Sequence, residues 1–152
     1  MPTENERSAL QKTPKTARTI EVIMDSNALF VPMQFKIDII AELERLLDRR
    51  FELILLSPVR HELEMLASEK APKTAKMATF ALKFSEKCRL VEAHTSAKTV
   101  DDAIVETATE CRSLVFTNDA RLRKRLRNIS VPVIYVRQKS HLAIEGMIQS
   151  HV

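Results

Sequence analysis

The chain has 152 residues, 45% hydrophobic and 29% charged, with a net charge of +4 and an isoelectric point near 9.2. That length and apolar content suit one soluble globular domain with its own core, and no stretch reaches the roughly 18 apolar residues of a membrane span. The single glycine, Gly146, excludes the glycine-rich loops that cradle nucleotide phosphates, and the pair Cys88 and Cys111 makes neither a disulfide framework nor a zinc site.

Residues 1–18 are polar and carry Lys12, Lys15 and Arg18 beside Pro2 and Pro14. They are expected to form a flexible basic arm without a secretory signal, and the domain proper is expected to span 19–152. The β-branched run Thr19–Met24 reads as a buried strand closed by Asp25-Ser26-Asn27. Ile37, Ile40, Leu43 and Leu47 recur at helical spacing and predict a helix from about Lys36 to Arg50. Phe51–Leu56 is a second apolar strand, followed by Ser57 as helix cap and Pro58 in the first turn of a helix reaching about Ser68. Pro72 opens another helix in which Met77, Ala81 and Phe84 share a face. Cys88–Val91 is a short strand, and Thr99 caps a helix reaching about Cys111. Ser113–Thr117 is a strand, Asp119–Arg127 a helix and Val131–Val136 the last clear strand, with an edge strand or short helix open beyond Arg137. Both cysteines are expected to be small buried hydrophobes in a reducing cytoplasm.

These strands are continuous apolar runs that alternate with helices. The expected class is therefore α/β, a central parallel sheet covered by helices on both faces, with its functional edge at the carboxyl ends of the strands. Asp25 directly follows the first strand, Thr117-Asn118-Asp119 closes another, and Asp101 and Asp102 lie in the first turn of a helix near the same edge. Glu62 falls on the face marked by Val59, Leu63 and Leu66, where a carboxylate is costly unless paired or bound to a cation, whereas Glu64 turns outward. Each acid also has a purely structural role open to it. Asp25 suits a turn, Asp119 a helix cap, Asp102 a capping box with Thr99, and Glu62 an arginine pair. Taken together, carboxylates without Cys or His partners suit Mg²⁺ or Mn²⁺, ions that activate water against a phosphodiester. A receiver-like domain would need an acidic pair after the first strand and an Asp after the third, and an Asp-x-Asp phosphatase would need Asp where Asn27 stands.

In order and spacing, Asp25-Ser26-Asn27, His61-Glu62-Leu63-Glu64, Val100-Asp101-Asp102-Ala103-Ile104 and Thr117-Asn118-Asp119 resemble the motifs of the PIN-domain ribonucleases over about Ile20 to Arg137. Phe35–Ile40 and Pro132–Lys139 are similar to the archaeal VapC-like branch, which itself resembles the eukaryotic PIN nuclease of small-subunit ribosomal RNA processing. Ser26 departs from the family's usual Thr but keeps the hydroxyl. The resemblance implies a parallel sheet, a Mg²⁺ or Mn²⁺ cofactor and endonucleolytic RNA cleavage. It implies that Asp25, Glu62, Asp101 or Asp102, and Asp119 ligate metal. Asp101 is favoured over Asp102 because it shares a face with Ile104 and Ala108. Ser26, Asn27, Thr117 and Asn118 would support them. The run Arg121, Arg123, Lys124, Arg125 and Arg127 is a candidate RNA contact beside the site, and Lys73, Lys76, Lys83 and Lys87 form a second stripe that reads first as a solvated face. The expected partners are RNA (tRNA, rRNA or pre-rRNA), an antitoxin or ribosomal partner and a second copy of the chain, with no membrane. The alternative is a PIN-like module that binds RNA or a ribosomal particle without cutting.

Overall fold

The computed structural model describes residues 19–93 and 97–148, so the expected basic arm lies outside the described residues. Six strands form one sheet: β1 (Ile20–Met24), β2 (Phe51–Leu56), β3 (Arg89–Val91), β4 (Leu114–Phe116), β5 (Val133–Arg137) and β6 (His141–Glu145). Their order is β3-β2-β1-β4-β5-β6, with β6 antiparallel to β5 and every other pairing parallel. The helices are α1 (Ser26–Leu29), α2 (Val31–Phe35), α3 (Ile39–Leu47), α4 (Ser57–Ala67), α5 (Pro72–Ser85), α6 (Val100–Cys111) and α7 (Ala120–Asn128). Among the described residues no helix is long and apolar enough to cross a membrane.

Consecutive residues of β1 (Val22, Ile23, Met24) and of β2 (Leu53 to Leu56) are buried, although neighbours on a strand point to opposite faces. Both faces of the sheet are therefore covered. The chain order reverses beside β1, which has β2 on one side and β4 on the other. Such a switch point leaves a crevice at the carboxyl ends of the two strands that flank it. Met24 is registered with Phe116, and the ladder continues one step further, since the Asp25 N–H donates to the Phe116 carbonyl at 3.0 Å. Asp25 thereby meets Thr117 side by side.

The predicted helix over 36–50 is shorter and preceded by two short helices. Lys36 takes a left-handed conformation (φ 55°), Asp38 caps α3 by accepting from the Ala41 N–H at 3.1 Å, and Asp48 (φ 49°) ends it. Ser57 is not the cap of α4. It lies inside the first turn, and its Oγ accepts from the Ala93 N–H at 3.3 Å, while Leu56 holds the cap position without a side-chain bond. On α5 the inward face is Ala78, Ala81 and Ser85, with Met77 and Phe84 only half-buried. Cys88 is half-buried and Cys111 is exposed, so the expectation of two buried thiols fails for Cys111, which sits in the last turn of α6. The last strand pair begins at Val133, and the open segment after Arg137 is a hairpin. Its turn residues Gln138 and Lys139 both have positive φ, and it delivers β6 as the sheet's edge.

Candidate active site

Asp25 is 5% exposed and Thr117 fully buried. The Thr117 hydroxyl donates to Asp25 Oδ2 at 2.7 Å and accepts from the Asp119 N–H at 3.1 Å. The Ser26 N–H donates to Asp25 Oδ1 at 2.8 Å, and Asn27 Nδ2 donates to Oδ2 at 3.1 Å. Asn27 also ties the two strand ends together, because its Oδ1 accepts from the Asn118 N–H at 2.9 Å. Asn118 extends the chain of contacts by accepting from the Val136 N–H of β5 at 2.8 Å. The four supporting residues thus form one network across β1, β4 and β5, with the Asp25 carboxylate at its centre. Three donors leave one of the roughly four lone-pair directions of that carboxylate open.

Burial pushes the Asp25 carboxyl above its ordinary range. The Thr117 and Ser26 bonds oppose that rise, and the charges of Asp101 and Glu62 add to it. Asp101 is raised in the same sense, first by desolvation, then by Asp119, with Glu62 and Asp102 adding and Arg125 opposing. Asp25, Glu62, Asp101 and Asp119, drawn from the end of β1, α4, α6 and the start of α7, are therefore linked electrostatically through Asp101. Asp119 caps α7, its Oδ1 accepting from the Arg121 and Leu122 N–H groups at 2.8 and 3.3 Å, which occupies one oxygen. Among the described residues Glu62 and Asp101 make neither a hydrogen bond nor an ion pair; Arg60 goes to Glu64 instead, at 3.6 Å. Glu62 is half-buried beside Leu63 and Val59, as its helical phase requires.

Asp102 is placed differently. Its Oδ1 takes the Arg125 Nη2 at 2.8 Å, and that bond, with help from Thr99, holds its carboxyl below the usual range. Thr99 caps α6 through the Asp102 N–H at 3.0 Å. Asp101 feels the other acids as well as Arg125 without bonding to any of them, whereas Asp102 is bonded to that arginine.

The basic run on α7 is largely engaged. Arg123 stacks on Tyr135 at 4.4 Å and approaches Glu145 at 3.5 Å. Arg127 donates to the Val131 carbonyl at 3.3 Å and lies 3.9 Å from Glu145. Arg125 holds Asp102. Among the described residues this leaves Arg121 and Lys124 of that run free of such contacts. The run's structural partners, Tyr135, Glu145 and Asp102, come from distant segments, so no local sequence signal announces them.

The donor set is all carboxylate, which suits a hard divalent cation. Among the described residues no three His, Cys, Asp or Glu side chains are drawn tightly enough to be ready ligands. Coulombic coupling reaches across several ångströms, whereas ligation demands oxygens about 2.1 Å from one point, so the two observations agree. Glu62 and Asp101, which make no hydrogen bond or ion pair among the described residues, are the ones at liberty to turn inward. A shallow groove lined by Thr19, Ile40, Arg49, Arg50 and Phe51 lies at the opposite edge of the sheet and contains none of these acids.

A family profile described as a PIN like domain matches residues 22–139. The chain is 35% identical over 131 residues to Ribonuclease VapC4 of Methanocaldococcus jannaschii, covering 84% of this chain and 98% of that protein. It is 27% identical over 123 residues to Ribonuclease VapC9 of Archaeoglobus fulgidus, covering 81% and 87% respectively. The fold is similar to that of the PIN domain endonuclease Utp24, with a TM-score of 0.71 and 25% identity over 87% of this chain and 96% of that one.

Proposed function

The chain belongs to the PIN-like domain family, and from that premise we propose that it is an endoribonuclease that hydrolyses RNA with Mg²⁺ or Mn²⁺ held by Asp25, Glu62, Asp101 and Asp119. One observation carries the reading. A buried Asp25, locked by Thr117, Ser26 and Asn27, feels the charges of two carboxylates that make no hydrogen bond or ion pair among the described residues, at the switch point of a parallel sheet. Burying like charges together is costly unless a cation joins them, and a purely structural site would pair them off as Asp102 is paired.

When bound, the ion polarises the scissile phosphate and makes water a stronger nucleophile at neutral pH. The chain's own part is to fix the donors. Thr117 and Asn27 hold Asp25 in one rotamer, the α7 cap fixes Asp119, and Asp101 and Glu62 supply negative charge without steric commitment elsewhere. Asp102 contributes by retaining Arg125 near the site mouth rather than by ligation. The substrate class is tRNA, rRNA or pre-rRNA, in a toxin-type or ribosomal RNA-processing role. An antitoxin or ribosomal partner, a homodimer and a cytoplasmic location belong to the same proposal. Similarity to two ribonucleases and to a PIN endonuclease supports the reaction class.

The test is cleavage of structured and single-stranded RNA with Mg²⁺, with Mn²⁺ and with chelator, by the natural chain and by Asp25→Asn. Cleavage should need the ion and vanish in Asp25→Asn while the circular dichroism spectrum stays native. RNA binding without any metal-dependent cleavage by the natural chain would instead make it a silent binding module. Undiminished cleavage by Asp25→Asn would remove the metal assignment.

A further inference from the structure

A negatively charged site repels the polyanion it is to cut, so cations elsewhere must hold the strand. The arginine run on α7 is mostly committed to Tyr135, Glu145, Val131 and Asp102. Helix α5 is the reverse case. Its sequence, PKTAKMATFALKFS, contains no acid, and Lys73, Lys76 and Lys83 are exposed and, among the described residues, without an ion pair. With Phe80 they fall at intervals of three and four residues, which places all four on one face. Phe80 is 42% exposed at the centre of that face, and Lys87 continues the line past the helix end, over the Phe84 ring at 5.5 Å. The opposite face, through Ala78, Ala81 and Ser85, packs inward on α4, which carries Glu62, and on α1, which opens at Asp25.

We propose that the outer face of α5, Lys73, Lys76, Phe80 and Lys83, is a docking track for single-stranded RNA flanking the cleavage site. The inference rests on the endoribonuclease reading above. A 14-residue helix is about 21 Å long, enough for several phosphates of an extended strand, and packed helices stand about 8–10 Å apart, so the track lies one helix beyond the acids. The lysines take the backbone, and the exposed ring of Phe80 between them offers a base a stacking surface. That central ring favours RNA over an acidic polypeptide, which has charge for the lysines but no base for the phenylalanine.

The test uses the full chain carrying Asp25→Asn, so that RNA is bound but not cut, and titrates salt against a labelled unstructured oligoribonucleotide. Single strands release about 0.7 counterion per phosphate contact, so the combined Lys73→Gln, Lys76→Gln, Lys83→Gln variant should lose about 2 from the log–log salt slope and about 100-fold in affinity at 0.1 M salt. Phe80→Ala should lose about tenfold with the slope unchanged. Arg49→Gln with Arg50→Gln, at the opposite sheet edge, should bind within twofold of the parent. The track is refuted if the lysine variant keeps its slope, or if the Arg49 and Arg50 control loses as much per charge. Equal displacement of the RNA by polyglutamate, with Phe80→Ala indifferent, would also overturn it in favour of a protein partner. None of these readouts depends on cleavage, so a chain that never cuts RNA sinks the enzyme reading and leaves this one to be judged by binding.

Discussion

Replacing Thr117 by Val keeps its shape and removes only the hydroxyl that links two of the proposed ligands. Thr117 is fully buried, donates to Asp25 Oδ2 at 2.7 Å and accepts from the Asp119 N–H at 3.1 Å. Loss of the charge-assisted bond costs about 1.5–3 kcal/mol, and the stranded N–H adds roughly 1 kcal/mol, giving about 2.5–4 kcal/mol at neutral pH. For a chain of this size that lowers the melting temperature by about 5–15 °C. The pH dependence has a definite sign. Burial holds the native Asp25 carboxyl above its unfolded value, and the Thr117 bond pulls it down, so Val raises it further. Below the unfolded carboxyl range both proteins carry a protonated Asp25, and the difference is that of neutral bonds, about 1 kcal/mol. It widens as pH rises through the natural chain's Asp25 titration, where ionised Asp25 needs the donor. The same shift should move the acid limb of the cleavage profile to higher pH. Thr117→Ser keeps the hydroxyl and loses one buried methyl, about 0.8 kcal/mol. Urea melts across pH for Val and Ser decide the matter. A Ser variant as unstable as Val at neutral pH, or a Val penalty that is flat with pH, refutes the bridging role.

Asp101→Asn should reduce cleavage on the order of 100-fold. It should also melt at or above the natural chain at neutral pH, because a carboxyl raised in the native state gives stability only at low pH and loses it as pH rises through the native value. Asp102→Asn should lose less cleavage and leave stability nearly unchanged, since it breaks a solvent-screened pair with Arg125; a larger cleavage loss from Asp102 than from Asp101 would reverse the two assignments. Gly146→Ala should destabilise by about 1–3 kcal/mol, because Gly146 has φ +96°, where a side chain is strained even if the Arg127 guanidinium moves out of the way of the added Cβ, and unchanged melting would refute that strain.

Strands buried on both faces were legible because their sequences, FELILL above all, leave no polar face to confuse the reading. Boundaries were harder where local capping competes with periodicity. The apolar repeat through Ile37 and Ile40 suggests a helix from Lys36, yet the Asp38 side chain supplies a cap, and Lys36 leaves the helical region altogether. The edge strand β6 is hard to read from sequence for a different reason. The Leu142 N–H goes to Glu42 Oε1 at 2.9 Å and the Leu142 carbonyl to Arg45 Nη2 at 3.1 Å, so α3 side chains satisfy backbone groups of the sheet's own edge. That arrangement is a tertiary property with no local signature.

Asp25 and Asp119 are placed at one edge by topology alone, because residues that directly follow a parallel strand lie there, whereas Glu62 and Asp101 depend on the helices that carry them. The helical face shared with Ile104 and Ala108 already favours Asp101 over Asp102, but the partners each one meets depend on the register of β1 against β4 and on how α6 is rotated toward α7. One residue of rotation separates Asp101, which faces Glu62 and Asp119, from Asp102, which faces Arg125. The same limit governs the arginines. Charge density along α7 shows how many cations are present but not which of them already hold a ring, a carbonyl or a carboxylate. It follows that neutralising the whole α7 run would remove the proposed RNA contacts, release Glu145 of β6 and free Asp102 beside the proposed ligands, all at once. A loss of cleavage in that variant would have three causes, whereas the α5 lysines, which make no ion pair among the described residues, isolate one.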